Sequence, residues 1–211
     1  MRLTIIFLLL GLQLSAQSQI GLYYQGTVSN RAQFRSFDIH EPVYYHNLGI
    51  RYDFKTKHWL YSLSLEHLQL GAKTWGIGYI PGNSVPKLYV SENTYYHVNS
   101  SLNVLRKLFA NPKFEIHAGV GLNLGHAYAA SRHSFRLDGG NPRNVNSTWD
   151  SGDFLKYNFY LAPELALRFE YHLNKSFSCI FAPEYSYQIR ENLDYFSHSV
   201  FQFNTGFSYN L

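Results

Sequence analysis

The sequence has little charge, one cysteine and no long apolar run. Only 15% of its 211 residues are charged, whereas ordinary soluble domains carry about 25%. The single Cys179 excludes an internal disulfide and a cysteine-based zinc site. No apolar run reaches the ~18–20 residues that a membrane-spanning helix needs, which excludes a bundle of such helices. The 18 lysines and arginines are scattered, so no basic block indicates nucleic-acid binding.

Aromatic residues, in contrast, are abundant. They make up 18% of the chain, and hydrophobic residues make up 45%. A chain this apolar and this poor in charge is not disordered. Its length is that of one domain.

The first residues resemble an export signal. Arg2 precedes the short apolar stretch 3–14, and small residues follow at Ala16 and Ser18, as signal peptidase requires. We expect cleavage after Ser18, or alternatively after Ala16. The predicted boundaries are therefore a signal peptide over 1–18 and one domain over 19–211.

The rest of the chain alternates between apolar and polar residues, which is the two-residue period of β-strands. Eight segments follow this pattern: 20–29, 44–54, 59–71, 94–108, 114–128, 155–172, 177–190 and 196–211. In the third segment the phase changes, because Leu68 and Leu70 leave the face of the earlier apolar residues. A β-bulge near Glu66–His67 would restore the register; alternatively, this half of the strand lies outside the bilayer.

The connections alternate between short and long. The short ones are 55–58, 109–113 and 173–176; the longer ones are 30–43, 72–93, 129–154 and 191–195. Short turns at one end and long loops at the other are typical of outer-membrane barrels. One face of the strands is apolar with aromatic ends, as at Trp59 and Tyr171, and aromatic girdles at membrane interfaces have this composition. The sequence therefore predicts an all-β fold, an eight-stranded antiparallel up-and-down transmembrane β-barrel.

The chain resembles the small outer-membrane β-barrel proteins of Gram-negative bacteria. The resemblance rests on the export signal, on a last strand over 200–211, and on matching Pro-Glu pairs at 163–164 and 183–184. It implies residence in the outer membrane, contact with its lipid and lipopolysaccharide, and recognition of the last strand by the barrel-assembly machinery. That strand commonly ends in an aromatic residue in this family, whereas here Leu211 follows Phe207 and Tyr209.

Charged residues on the inward faces predict a lumenal network, because a buried charge without a partner is very costly. The predicted members are Arg51, Asp53, Glu66, Glu164, Arg168 and Glu184. Paired across the lumen, they would close it. The alternative interpretation of the two glutamates is a catalytic carboxylate pair. We expect a non-enzymatic protein whose external loops serve surface interaction or envelope integrity.

The loop 129–154 carries the candidates for external recognition, Arg132, Arg136 and Arg143. Arginines at this level could donate bidentate hydrogen bonds to lipopolysaccharide phosphates. The alternative is a solvated loop without a fixed partner.

Three other functions stay open. In a lipid-modifying hydrolase or transferase, His97 would be the base and Ser101 the nucleophile, since both lie on one strand face. The others are a narrow channel and a soluble, secreted lipid-binding barrel. No two of the ten histidines are two or four residues apart, the spacings useful for metal ligands, so we expect no metal and no cofactor.

Overall fold

The structure, a computed structural model, describes residues 17–31, 39–80, 83–136, 145–148, 159–189 and 198–211. Most of the predicted signal peptide, residues 1–16, lies outside this part of the chain. The strands are β1 (Gln17–Arg31), β2 (Ile39–Glu41), β3 (Val43–Lys55), β4 (Trp59–Ile80), β5 (Asn83–Ala110), β6 (Phe114–Arg136), β7 (Val145–Thr148), β8 (Phe159–His172), β9 (Phe177–Tyr187) and β10 (His198–Asn210). No helix among the described residues is long and apolar enough to cross a membrane.

Eight of these strands close into a barrel. Going round it, the order is β1, β3, β4, β5, β6, β8, β9, β10 and β1 again, and every neighbouring pair is antiparallel. Following directly opposed residues once around from Lys55 leads to Tyr45, ten residues (55 minus 45) along the same strand. This stagger tilts the strands to the barrel axis, as closure of a sheet requires. The predicted fold class is confirmed.

The long-loop end contains more strand than the sequence predicted. The expected loop 72–93 is wrong, because β4 and β5 continue through it as one hairpin paired almost to its tip. The expected loop 129–154 is wrong in part, since β6 runs on to Arg136 and β7 pairs with it. Outside the lipid, neither face of a strand has to be apolar. A strand can therefore continue there without an alternation of apolar and polar residues in its sequence.

Inside and outside alternate along the barrel strands. In β3 and β8, inward side chains are buried, while those between them point outward. This alternation passes through Glu66 and His67 without interruption, so the predicted bulge there is wrong. Leu68 and Leu70 point inward and pack with Val200. The register shifts of β5 and β6 lie elsewhere, between Tyr96 and His97 and between Lys107 and Phe109.

Two aromatic girdles flank an aliphatic belt on the outer surface. At the short-turn end, Phe114 stacks on Phe169, and Phe177 contacts Tyr209. At the long-loop end the girdle includes histidines: His67 Nε2 lies 2.6 Å from the Tyr128 hydroxyl. The exposed side chains between the girdles are large and apolar. They include Leu22, Leu48, Leu63, Leu102, Val120, Leu122 and Leu165, each exposed by 42–63%. Such a surface is stable only in lipid.

Candidate functional site

The barrel interior holds the charged residues, in two groups at different heights. We call the group near the short turns the short-turn cluster. Its members are Asp53, Lys55, Lys107, Glu115, Arg168 and Glu170. Three cations therefore face three carboxylates, and the short-turn cluster is neutral.

Ion pairs join the short-turn cluster across four strands. Lys55 Nζ lies 2.6 Å from Glu170 Oε1 and 3.0 Å from Glu115 Oε2. Arg168 Nη2 bridges Asp53 Oδ2 at 2.7 Å and Glu170 Oε2 at 3.3 Å. All members but Lys107 and Glu115 are almost completely buried, so each charge relies on its partners in place of water. These ion pairs cross the interior at this end of the barrel.

The second group, the mid-barrel cluster, consists of Arg51, Glu66, Glu164 and Glu184. Arg51 Nη2 lies 2.9 Å from Glu184 Oε1, and its guanidinium lies 4.7 Å from the centre of the Tyr23 ring. The hydroxyl of Tyr23 donates to Glu66 Oε1 at 3.1 Å. One cation faces three carboxylates, so the mid-barrel cluster carries a formal charge of −2.

Neutral donors bind the two carboxylates that lack an arginine. Gln25 Nε2 and Ser64 Oγ donate to Glu66 at 2.9 and 3.0 Å. Asn103 Nδ2 donates to Glu164 Oε1 at 2.9 Å, and Asn123 donates to its other oxygen. Among the described residues, only amide side chains donate hydrogen bonds to the buried carboxylate of Glu164.

Glycines on neighbouring strands make room for these side chains. Tyr23 stands opposite Gly49, and a Cβ at Gly49 would overlap the tyrosine ring. In the same way, Asn103 crosses Gly121 on its way to Glu164. The sequence 119–125, which superficially resembles a phosphate-binding loop, is part of β6. Gly121 and Gly125 leave space for the side chains of Asn103 and Tyr160, and Gly119 lets the β5 backbone approach closely.

An apolar layer lies above the mid-barrel cluster, towards the long-loop end. It consists of Leu68, Leu70 and Val200, each at most 1% exposed. An aqueous path along the barrel axis would have to pass this layer and both charged clusters.

All six predicted lumenal residues point inward and are buried. Arg51 pairs with Glu184, and Arg168 pairs with Asp53, whereas Glu66 and Glu164 have neutral partners. Glu164 and Glu184 are diagonal neighbours, since Glu184 stands opposite Ala166 and Glu164 opposite Ser186.

The interior holds four charged residues that the sequence pattern did not predict: Lys55, Lys107, Glu115 and Glu170. For two of them, the two-residue period of the strand already indicated an inward position. Lys55 is two residues from Asp53, and Glu170 is two residues from Arg168, so each shares the inward face of a residue already selected.

One group of side chains has the composition of a metal site. Ligand atoms of Glu115, Glu170 and His172 lie within 4.8 Å of one another. However, Lys55 Nζ already contacts both carboxylates. The ammonium group therefore neutralises these carboxylates where a metal ion would have to bind.

His97 and Ser101 do not form a catalytic pair. They are inward-facing residues of β5, buried in the lumen, and four residues of strand separate them by about 13 Å. A base must approach its nucleophile to about 3 Å. The Ser101 hydroxyl instead bonds Ser64, and the His97 ring lies edge-on to Tyr160 at 5.3 Å. The hydrolase hypothesis loses its two candidate residues.

Two of the three candidates for external recognition, Arg132 and Arg136, lie at the long-loop end. The backbone of Arg132 stands opposite Asn93 and Ser147, and that of Arg136 opposite Tyr89. Both positions belong to the part of β6 beyond the aromatic girdle. Arg143 lies outside the described residues.

No protein-family model matches the chain, and no curated protein matches it. Solved structures do. The outer membrane protein OprG from Pseudomonas aeruginosa is 13% identical, with 93% of this chain and 97% of that chain covered and a TM-score of 0.50. Ail, the attachment invasion locus protein of Yersinia pestis, is 14% identical over 93% and 99%, with a TM-score of 0.48. The outer membrane protease OmpT from Escherichia coli is 9% identical over 93% and 96%, with a TM-score of 0.43. The chain thus has the closed eight-stranded barrel fold of small bacterial outer-membrane proteins.

Proposed function

We propose that the protein is a non-enzymatic integral barrel of the outer membrane, closed along its axis, whose strands extended beyond the membrane serve surface interaction or envelope integrity. The observation that carries the proposal is the filled interior. The short-turn cluster, the mid-barrel cluster and the apolar layer lie in series along the axis, and eight strands leave an interior only wide enough for side chains.

Conductance in planar bilayers tests the closed lumen. A band shift between unboiled and boiled SDS samples first shows that the purified protein is folded. This protein should give no channel currents, because ion pairs and the side chains of Leu68, Leu70 and Val200 fill the path. Stepwise currents from the same preparation would favour the narrow-channel alternative and contradict this part of the proposal.

The extended strands supply the surface for interaction. β4, β5 and β6 remain paired beyond the aromatic girdle of the long-loop end. The short strand β2 pairs with β4 there, and β7 pairs with β6. The proposed partner is the phosphate-bearing head group of lipopolysaccharide. Arginine is suited to it, because a guanidinium donates two parallel hydrogen bonds to one phosphate.

A paired substitution tests this partner. Arg132→Gln with Arg136→Gln should weaken the binding of lipopolysaccharide micelles to the purified barrel, whereas Lys113→Gln in a short turn at the opposite end should not. Equal binding by both variants and the unmodified protein would contradict the arginine contacts.

The enzymatic alternative is tested separately. Ser101→Ala should leave lipopolysaccharide and phospholipid unchanged in composition relative to the unmodified protein, because Ser101 is buried and bonded to Ser64. Acyl-chain release that disappears in Ser101→Ala would overturn the non-enzymatic assignment.

A further inference from the structure

The wall of the barrel is interrupted at the contact between β8 and β9, which we call the β8–β9 seam. Pro163 lies in β8 and Pro183 in β9, and both point outward. The one other proline in a described strand is Pro86, near the tip of the β4–β5 hairpin. A proline removes a ladder donor and is normally excluded from central strands.

Both missing donors belong to this same seam. In an antiparallel pair, alternate residues direct their N–H and C=O groups to the same neighbour. Leu161 and Ile189 exchange two backbone hydrogen bonds across the seam, at 3.2 and 2.7 Å. Pro163 is two residues from Leu161, and Pro183 stands at the level of Leu167, six residues from Leu161. Each proline therefore occupies a position whose N–H would have bonded across the seam.

The backbone pairing of β8 with β9 is interrupted where these N–H donors are missing. Across the β8–β9 seam, the ladder covers Glu164–Ala166 and Phe169–His172 and is broken at both prolines, apart from an isolated bridge at Leu161. Elsewhere in the wall, the contact of β1 with β10 is unbroken over 13 successive pairs. The β8–β9 seam has seven ladder pairs besides the isolated bridge, the fewest of the eight described strand contacts of the barrel. In lipid no water replaces a missing backbone bond, so the missing pairs weaken the wall here.

The interior behind the seam holds two glutamates and Arg168, and Arg168 is already paired with Asp53 and Glu170 of the short-turn cluster. Glu164 and Glu184 directly follow the two prolines and point into the lumen, and their cross-strand neighbours are Ser186 and Ala166. Both glutamates belong to the mid-barrel cluster, in which one arginine faces three carboxylates. An opening of the seam would bring these two carboxylates to the lipid side of the wall.

We propose that the β8–β9 seam is a lateral gate, which gives lipid-dissolved molecules with a positively charged head group access to Glu164 and Glu184. The head group would meet the excess negative charge, and its chain would stay in the bilayer. This role goes beyond the proposed function and is independent of it, because a lumen closed along its axis can still open sideways.

The gate is tested by labelling with dicyclohexylcarbodiimide, which reaches carboxyl groups from the lipid phase. In proteoliposomes, mass spectrometry should find Glu164 and Glu184 modified several-fold faster than Glu66, which belongs to the same cluster but lies on β4. Equal rates at all three glutamates would overturn the gate, since the carboxylates would then be reached by another path.

Disulfide locking supplies the matched control. In a Cys179→Ser background, Leu165→Cys with Tyr185→Cys joins directly opposed outward residues across the seam, a spacing that a disulfide can bridge. Oxidation should abolish the labelling of Glu164 and Glu184, and reduction should restore it. The control pair, Val28→Cys with Phe201→Cys, crosses β1 and β10 at opposed positions, and its oxidation should change nothing. Labelling that survives the seam lock contradicts the proposal.

A second variant keeps the test valid if the cysteine pair prevents folding. Pro163→Val with Pro183→Val returns both N–H donors and should slow amide hydrogen exchange in β8 and β9, together with carboxylate labelling. Unchanged exchange and labelling would overturn the assigned weakness of the seam.

The charge of the head group is tested with two amphiphiles of equal chain length. Dodecyltrimethylammonium in the vesicles should protect Glu164 and Glu184 from carbodiimide, whereas dodecanol should not. Equal protection by both, or by neither, would overturn the selection for positive charge.

Discussion

At the scale of single residues, the mid-barrel cluster depends on Arg51. It is the sole cation of the mid-barrel cluster and contacts both Glu184 and the Tyr23 ring. Arg51→Ala should destabilise the barrel by about 3–5 kcal/mol, because it leaves buried carboxylates without a counter-charge. Urea unfolding in lipid vesicles measures this.

The exposed Arg106 provides the control for Arg51. It points outward near the short turns, and Arg106→Ala should change the free energy of unfolding by no more than about 0.5 kcal/mol. The double variant Arg51→Ala with Glu184→Gln should recover part of the loss. Equal effects of Arg51→Ala and Arg106→Ala would contradict the role of the mid-barrel cluster.

The glycines opposite large lumenal side chains are a second residue-scale feature. Gly49→Ala would place a methyl group inside the Tyr23 ring, and we expect a loss of about 1–3 kcal/mol from overpacking. Gly26 of β1 has no atom within 4 Å of a Cβ position, so Gly26→Ala should be close to neutral. Thermal unfolding of the two variants in one detergent compares them; equal midpoints would contradict the close packing.

Part of this interior is predictable from the sequence. The period of two placed Arg51, Asp53 and Arg168 on inward faces, and the structure has them there. It could not give their partners, because partners depend on the ten-residue stagger around the barrel. That stagger brings Arg51 of β3 to Glu184 of β9, and no local pattern records it.

At the scale of strands, the outward residues follow depth in the bilayer. In β4, Trp59 lies in the girdle of the short-turn end, His67 lies in the other girdle, and Leu63 is halfway between them. Leu63→Arg should therefore lower the free energy of unfolding by about 2–4 kcal/mol, and Trp59→Arg should lower it by about 0–1 kcal/mol from depth in the bilayer alone. Guanidinium unfolding in vesicles provides both values. A larger cost at Trp59 than at Leu63 would contradict the assigned membrane position.

The strand boundaries show where sequence patterns stop being informative. At the short-turn end, all eight predicted segments begin or end within three residues of the observed strands. Six of these ends flank a tight turn, which interrupts the alternation there. At the long-loop end, β4 and β5 extend past the predicted limits. Outside lipid, pairing continues but neither face must be apolar, so the extended hairpin carries no periodic signal.

The whole molecule is a closed barrel with an apolar exterior and an interior filled by side chains. Closure follows from the pairing of β1 with β10 and of β4 with β5. It removes the strand edges that lipid could not hydrogen-bond. The apolar outer surface then requires lipid around the protein, and the side chains of the interior determine whether solutes can pass along the barrel axis.

The membrane barrel is tested by the mobility of the membrane-extracted protein in SDS gels, compared between unboiled and boiled samples. A closed barrel resists SDS until it is heated, so the two samples should migrate as different bands. A single mobility, together with extraction from membranes by salt or buffer alone, would contradict the membrane barrel and favour a soluble one.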